Sequence, residues 1–249
     1  MPIHDSNRIE FAIESGNIHI SSGAGEALPA YWAHPVSGDT FPGIALLHDW
    51  WGLTNVQRLL ANFYAHLGFY VIVPDMFNGE LATKPQQALR LMTETEKTRY
   101  KVVETTLNVL EKHHRTNGHT AIIGTGMGGS LAFEAAIKRR DLEAAVAYGG
   151  FPQRYWKGFD RCTTPILAMY GSEEPYIKQD DMDRLRKVLK RSLRHDDHQL
   201  IVVPGAAHNF FSESSTPESR DTGKDVINMT LAFLEKYIER PDLSQYAQF

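Results

Sequence analysis

A series of short, almost wholly apolar runs, each closed by Gly, Pro or Asp and each followed by a stretch of helical periodicity, constrains this chain more than any other feature. PGIALLHD, FYVIVPD, HTAIIG, LEAAVAYGG, TPILAMYG and HQLIVVPG are too brief for membrane helices and too continuous for strands with one wet face. Such runs suit strands covered on both sides, as in a parallel sheet. Between them, Val56, Leu59, Leu60, Phe63 and Leu67 fall on one helical face, with Gly68 where a helix would end. A long polar stretch from about Pro85 to His114 reads as helix, as does SLAFEAAIKRR. Met182, Leu185 and Leu189 mark another helix, and Ile227, Leu231, Leu234 and Ile238 a last one. Two strand-like pieces, NIHIS and LPAYWAH, precede the alternation. The pattern predicts an α/β fold: a mostly parallel, doubly wound sheet with helices on both faces. No repeat, low-complexity tract or Pro/Gly/Ser-rich linker divides the 249 residues, so one domain over 1–249 is expected.

Charge narrows the class of partner. Against 30 Asp+Glu stand 26 Lys+Arg, a formal charge of -4 with no basic run, which argues against nucleic acid. No apolar stretch approaches the roughly 18 residues that span a bilayer, and MPIHDSNRIE lacks the apolar region of a secretory signal. A cytoplasmic protein without membrane partners is expected. The single cysteine, Cys162, excludes an internal disulfide and is read as a small buried residue.

In doubly wound sheets ligands gather at the carboxyl ends of the strands. The segments there are HDWWGL, GTGMGGS, GSEEPYI and PGAAHNF. GTGMGGS has the form of a nucleophile elbow, GxSxG or GxCxG, in which small residues flank a strained apex so that strand and helix can approach. Gly124 and Gly128 are the small residues; the apex is Gly126. An acid and then a histidine should follow in chain order at later strand ends. Glu174 in GSEEP and His208 in PGAAHNF occupy those places, with Glu173 an alternative acid.

Together, LPAYWAHP, HDWWGL, VIVPDMFNG, GTGMGG, YGSEEPYI and PGAAHNF resemble the dienelactone hydrolase (carboxymethylenebutenolidase) family of α/β-hydrolases over nearly the whole chain. The resemblance implies an α/β-hydrolase fold and an esterase or lactonase ancestry. It also implies a Cys or Ser nucleophile, an Asp acid, a His base and a first-loop Glu that helps control the nucleophile. His208 matches the base, whereas Glu174 stands for Asp, Asp49 for Glu, and Gly126 for the nucleophile. Backbone N–H groups of Trp50 and Met127 would form the oxyanion hole by the same analogy. The ligand expected is a small lactone, ester or carboxylate, and no cofactor is expected.

No other residue replaces the nucleophile. Thr125 as apex would put Ile123 and Met127 where small residues are required, Ser130 lies roughly 6 Å of helical rise away, and Cys162 precedes its strand at the opposite edge of the sheet. Loss of the nucleophile costs a serine hydrolase on the order of a million-fold, so ordinary acyl-enzyme catalysis is not expected. Trp50 and Trp51 serve either as packing beneath the first loop or as an aromatic wall of the cleft. Asp49, if buried, needs a partner, for which Arg90 and Arg99 are candidates. HHRTNGH and RHDDH concentrate metal-ligand residue types without ligand spacing, so no metal is expected. GTGMGG as a dinucleotide fingerprint fails on position, since it belongs to the third buried strand and lacks the later acidic residue.

Overall fold

A computed structural model describes residues 10–21, 27–211 and 217–241. Its elements are β1 (Ile13–Ser21), β2 (Ala27–Pro35), β3 (Phe41–Leu47), α1 (Asn55–His66), β4 (Tyr70–Pro74), α2 (Pro85–Glu94), α3 (Arg99–Lys112), β5 (Thr116–Thr125), α4 (Met127–Lys138), β6 (Ala144–Tyr148), β7 (Ile166–Gly171), α5 (Gln179–Leu189), β8 (Gln199–Val203) and α6 (Pro217–Leu234). The strands follow the order β1-β2-β4-β3-β5-β6-β7-β8, which realises the mostly parallel α/β sheet expected from the alternation. Among the described residues no helix is long and apolar enough to cross a membrane. The described residues gather into two compact units. One holds the chain up to Leu46, Trp51–Thr120 and the residues from Ile238 on; the other holds Leu47–Trp50 and Ala121–Tyr237.

In the first unit, β2 pairs antiparallel with both β1 and β4, and β3 runs parallel to β4 with Ile44 opposite Val71. Every residue of β4 (YVIVP) is buried, as its unbroken apolar run requires. Helix α1 opens with a capping box: Thr54 Oγ1 accepts the Val56 N–H while Gln57 Oε1 accepts the Thr54 N–H. It closes at Leu67, followed by Gly68 at φ 92°, the left-handed turn anticipated from sequence. Its buried face overlaps the expected one only in part: Leu60 and Leu67 are buried, whereas Val56 and Phe63 are partly so. Gln57, Leu60, Ala61, Tyr64 and Ala65 face inward, and Leu59 is half exposed. Two alanines let this face approach the sheet, while an apolar tally favours larger side chains.

The single helix expected from Pro85 to His114 is two. Between α2 and α3, Thr95 Oγ1 donates to Leu91 O at 2.7 Å and Thr98 Oγ1 to Thr95 O at 3.2 Å. The bond of Thr95 has the same i to i−4 form as those of Thr93 to Leu89 O inside α2 and Thr106 to Val102 O inside α3, so it accompanies the break without causing it.

In the second unit β5, β6, β7 and β8 are parallel throughout, with Ala121 opposite Ala144, Ala145 opposite Ile166 and Leu167 opposite Gln199. Helix α4 starts at Met127, earlier than the expected Ser130, because its first turn is built of glycines that pack directly on backbone. A Cβ at Gly128 would stand 2.6 Å from His48 O, and one at Gly124 would overlap Gly128 O. Ile227, Leu231 and Leu234 of α6 are buried; Ile238, also buried, lies past the helix end. Cys162 is buried with its thiol directed at Ala136 O (3.2 Å) and Thr164 O (3.4 Å), and burial pushes its pKa up to about 11. That is the inert, packed cysteine expected from its place before β7.

Candidate active site

The turn from β5 into α4 is the centre of the site, and all the residues assembled around it belong to the second unit. Gly126 has φ 54° and ψ -109°, a conformation that side-chain-bearing residues rarely adopt. Two bonds hold it there: its N–H donates to Tyr148 O at 2.8 Å, and its carbonyl accepts the Ser130 N–H at 3.0 Å. Ser130 adds a brace, since its hydroxyl donates to Gly126 O at 3.1 Å and accepts the Phe151 N–H at 2.9 Å. The serine weighed above as a stand-in nucleophile is thus engaged in shaping the turn.

The loops after β7 and β8 deliver Glu174 and His208. Close approach of these loops is enforced by Gly171, where a Cβ would overlap the Ala206 and Ala207 carbonyls. Glu174 Oε2 lies 2.7 Å from His208 Nδ1, and Glu174 Oε1 accepts the Tyr176 N–H at 2.8 Å. The carboxylate side chain is 1% exposed, the imidazole 21%. Glu173, the other candidate acid, is exposed, and it is Glu174 that meets His208. Because a carboxylate only accepts, Nδ1 carries the proton and the lone pair of a neutral imidazole sits on Nε2. That nitrogen points toward residue 126: beyond the adjoining residues, a Cβ added there would meet His208 Nε2 at 3.4 Å and Asp49 Cβ at 3.5 Å.

Asp49 is buried, and Arg90, one of its two candidate partners, instead bonds Glu80 and Glu94 at 2.8 Å each. Arg99, the other candidate, is buried at the start of α3 in the first unit. Trp50 is half-buried beside Asp49 in sequence, and Met127 is buried at the first position of α4, where a helix leaves its backbone N–H groups without intrahelical acceptors. Trp51 belongs to the first unit, its carbonyl accepting the Ala82 N–H at 3.0 Å.

Three residues that sequence reasoning did not single out surround His208. The Tyr176 ring meets the imidazole edge-on at 5.0 Å, and Phe151 lies 5.8 Å away on another side. Gly149, at φ 58°, leaves room for the ring: a Cβ there would stand 2.8 Å from His208 Cε1. Tyr176 falls inside a segment already marked by its place after β7, but nothing in the spacing showed that it would touch residue 208. Beneath the site, Tyr170 donates to Gly150 O at 2.8 Å, and burial pushes its phenol far above its ordinary pKa. Among the described residues no three His, Cys, Asp or Glu side chains gather as a metal cluster.

A strand-turn-helix with an acid-histidine pair aimed at its apex is a hydrolase arrangement, and comparison with known proteins names the family. The model of the dienelactone hydrolase family matches residues 28–238. The chain belongs to the dienelactone hydrolase family. Similar curated proteins include Protein usf of Aquifex pyrophilus, 27% identical over 86% of this chain and 95% of its own length. A carboxymethylenebutenolidase homolog of Xenopus tropicalis is 26% identical over 95% of this chain and 96% of its own. A solved structure from Klebsiella pneumoniae subsp. pneumoniae MGH 78578, provisionally described as a dienelactone hydrolase, superposes with a TM-score of 0.76 at 24% identity, covering 91% of this chain and all of that one (100%). The family membership and these neighbours agree on the α/β-hydrolase fold.

Proposed function

We propose that this chain is a dienelactone hydrolase homologue without a covalent nucleophile, which holds a small ester, lactone or carboxylate beneath His208 and does not acylate itself. The observation that carries this reading is residue 126: the apex faced by His208 Nε2 has only hydrogen for a side chain. Ser130 is committed to the backbone of the turn and Cys162 is buried with a raised pKa, so neither supplies the missing atom. Without a nucleophile, about six powers of ten in turnover are lost. What remains is binding and the N–H groups contributed by Trp50 and Met127 in the family's manner. Kin that act on lactones support a small-molecule ligand, as does the absence of any basic run.

The 2.7 Å pair of Glu174 and His208 favours a second reading, slow hydrolysis by a water that the imidazole deprotonates. General-base assistance of this kind supplies roughly a hundred- to ten-thousand-fold. Purified protein assayed on short aryl esters and simple lactones, beside His208→Ala, separates the two. Hydrolysis that disappears with the imidazole establishes the second reading and removes pure binding. Gly126→Cys provides the converse check: labelling by an acylating reagent is expected to appear at position 126, and inertness there would mean that the surrounding groups no longer support acyl transfer.

A further inference from the structure

Residues 184–194, RLRKVLKRSLR, hold six of the chain's 26 Lys+Arg and no Asp or Glu. Within this segment the cations never run beyond two before an apolar or small residue interrupts them. Folding removes the interruptions. Leu185, Leu189 and Ser192 are buried, which leaves Arg184, Lys187, Lys190 and Arg191 together on the outer face of α5 and the turn that ends it. Arg184 lies over the Trp156 ring at 4.5 Å, whereas the side chains of Lys187, Lys190 and Arg191 have no ion partner among the described residues. The end of α4 is tied to the same end of the sheet and adds the exposed Arg140: Thr164 Oγ1 donates to Arg139 O at 3.4 Å, and Arg194 to the neighbouring Thr163 O at 3.2 Å. The acids that follow are taken up locally, Asp197 by Arg194 at 2.6 Å and Asp196 at 3.4 Å from His195.

Cations at helix C-termini complement the macrodipole, which accounts for part of this composition. It does not account for Leu193. Adjoining Arg194 and two residues past Arg191, this side chain is 71% exposed, more than any other large apolar side chain among the described residues. We infer that this surface docks on a membrane of anionic lipid, with the cations among the headgroup phosphates and Leu193 inserted at the acyl boundary. A leucine gains little against the phosphates and sugars of a nucleic acid, and residues 184–194 offer no aromatic ring on which a base could stack. Cations flanking an exposed apolar side chain suit an anionic lipid interface instead. No helix among the described residues is long and apolar enough to cross a membrane, and surface docking requires none. Helix α5 runs from the carboxyl end of β7 back to the start of β8, so its last turn lies at the opposite end of these strands from Glu174 and His208. Docking there leaves that pair uncovered. Each cation near an anionic surface strengthens binding roughly fivefold and one inserted leucine roughly tenfold, so the contact is reversible and calls for millimolar lipid.

The test is co-sedimentation of the full chain with vesicles of phosphatidylcholine alone or mixed with an equal part of phosphatidylglycerol, at low and high salt. Wild-type protein is expected to sediment only with the anionic vesicles and to be released by salt. The triple variant Lys187→Gln, Lys190→Gln, Arg191→Gln is expected to bind on the order of a hundredfold more weakly. Leu193→Ser keeps every charge and is expected to lose roughly tenfold, which a purely electrostatic contact would not. Should the triple variant fail to fold, the salt, lipid and Leu193→Ser comparisons still decide. Failure to sediment with anionic vesicles, equal sedimentation with neutral ones, or undiminished binding by Leu193→Ser overturns the inference. Retention of duplex DNA by a protein that ignores both kinds of vesicle overturns it as well.

Discussion

At φ 54° and ψ -109°, residue 126 occupies backbone space that costs a residue with a Cβ about 1–3 kcal/mol and a glycine almost nothing. The surrounding bonds to Tyr148 and Ser130 do not depend on the side chain, so the turn persists whatever stands at its apex. Gly126→Ser is accordingly expected to unfold at a temperature several degrees below the wild type, measured calorimetrically, despite 3.4 Å of clearance. An equal or higher melting temperature would show that the strain has been relieved elsewhere. Gly149 makes the opposite case, where space rather than torsion alone decides. Gly149→Ala drives a methyl to 2.8 Å from His208 Cε1 at φ 58°, so the imidazole must turn away from Glu174. The expected outcome is loss of any His208-dependent ester hydrolysis, by roughly tenfold or more, to a degree comparable with His208→Ala itself. Activity unchanged in a folded Gly149→Ala protein would mean that the 2.7 Å contact does not position the base.

Elements in this chain are held at their ends as much as along their lengths. Arg115, at the approach to β5, donates to three carbonyls of the turn after β2: Gly38 O at 2.5 Å, Pro35 O at 2.8 Å and Val36 O at 3.2 Å. Its guanidinium also lies 5.4 Å from the centre of the Phe41 ring. Charge-assisted bonds to partly buried carbonyls exceed ordinary ones, so Arg115→Met is expected to cost about 1–3 kcal/mol, seen as a lower urea midpoint with an unchanged slope. The strands of the sheet were readable because an unbroken apolar run such as YVIVP has few alternatives once both faces are covered. Helix faces were less so, since Ala61, Ala65 and Gln57 weigh little in an apolar count yet decide how closely α1 lies on the sheet. That residue 126, His208 and the Glu173–Glu174 pair follow the ends of their strands could be read from motif order. The choice of Glu174 over Glu173 could not, because it depends on a loop bent by the Tyr176 N–H, and the contacts of Gly149, Phe151 and Tyr176 with His208 join residues far apart along the chain.

Acid reaches the whole molecule through histidines that folding keeps neutral. In the second unit His198 Nδ1 accepts the Ile166 N–H at 3.1 Å, so that nitrogen cannot take a proton without breaking the bond, and Nε2 is buried with no hydrogen-bond partner among the described residues. Burial, opposed by the charge of Asp197 and reinforced by Arg194 and His195, lowers its pKa from 6.5 to about 4. In the first unit a column of rings runs from Trp32 through His34 and Tyr70 to His113 and His114, and burial likewise lowers the pKa values of His34 and His113. The sign follows from which state binds more protons. Between about 6.5 and 4 the unfolded chain takes up a proton at position 198 that the folded chain refuses, so stability is complete above the unfolded value and declines as pH falls through this window. The shift corresponds to roughly 2–3 kcal/mol for this one group after allowance for its partial exposure, with His34 and His113 adding in the same direction. Urea unfolding at pH 7.5 and pH 4.5 is therefore expected to show a marked acid loss in the wild type. His198→Asn, which keeps an acceptor for the Ile166 N–H but does not titrate, is expected to recover a substantial part of that loss, leaving the share due to His34 and His113. An acid loss of the same size in His198→Asn would place the sensitivity elsewhere in the chain.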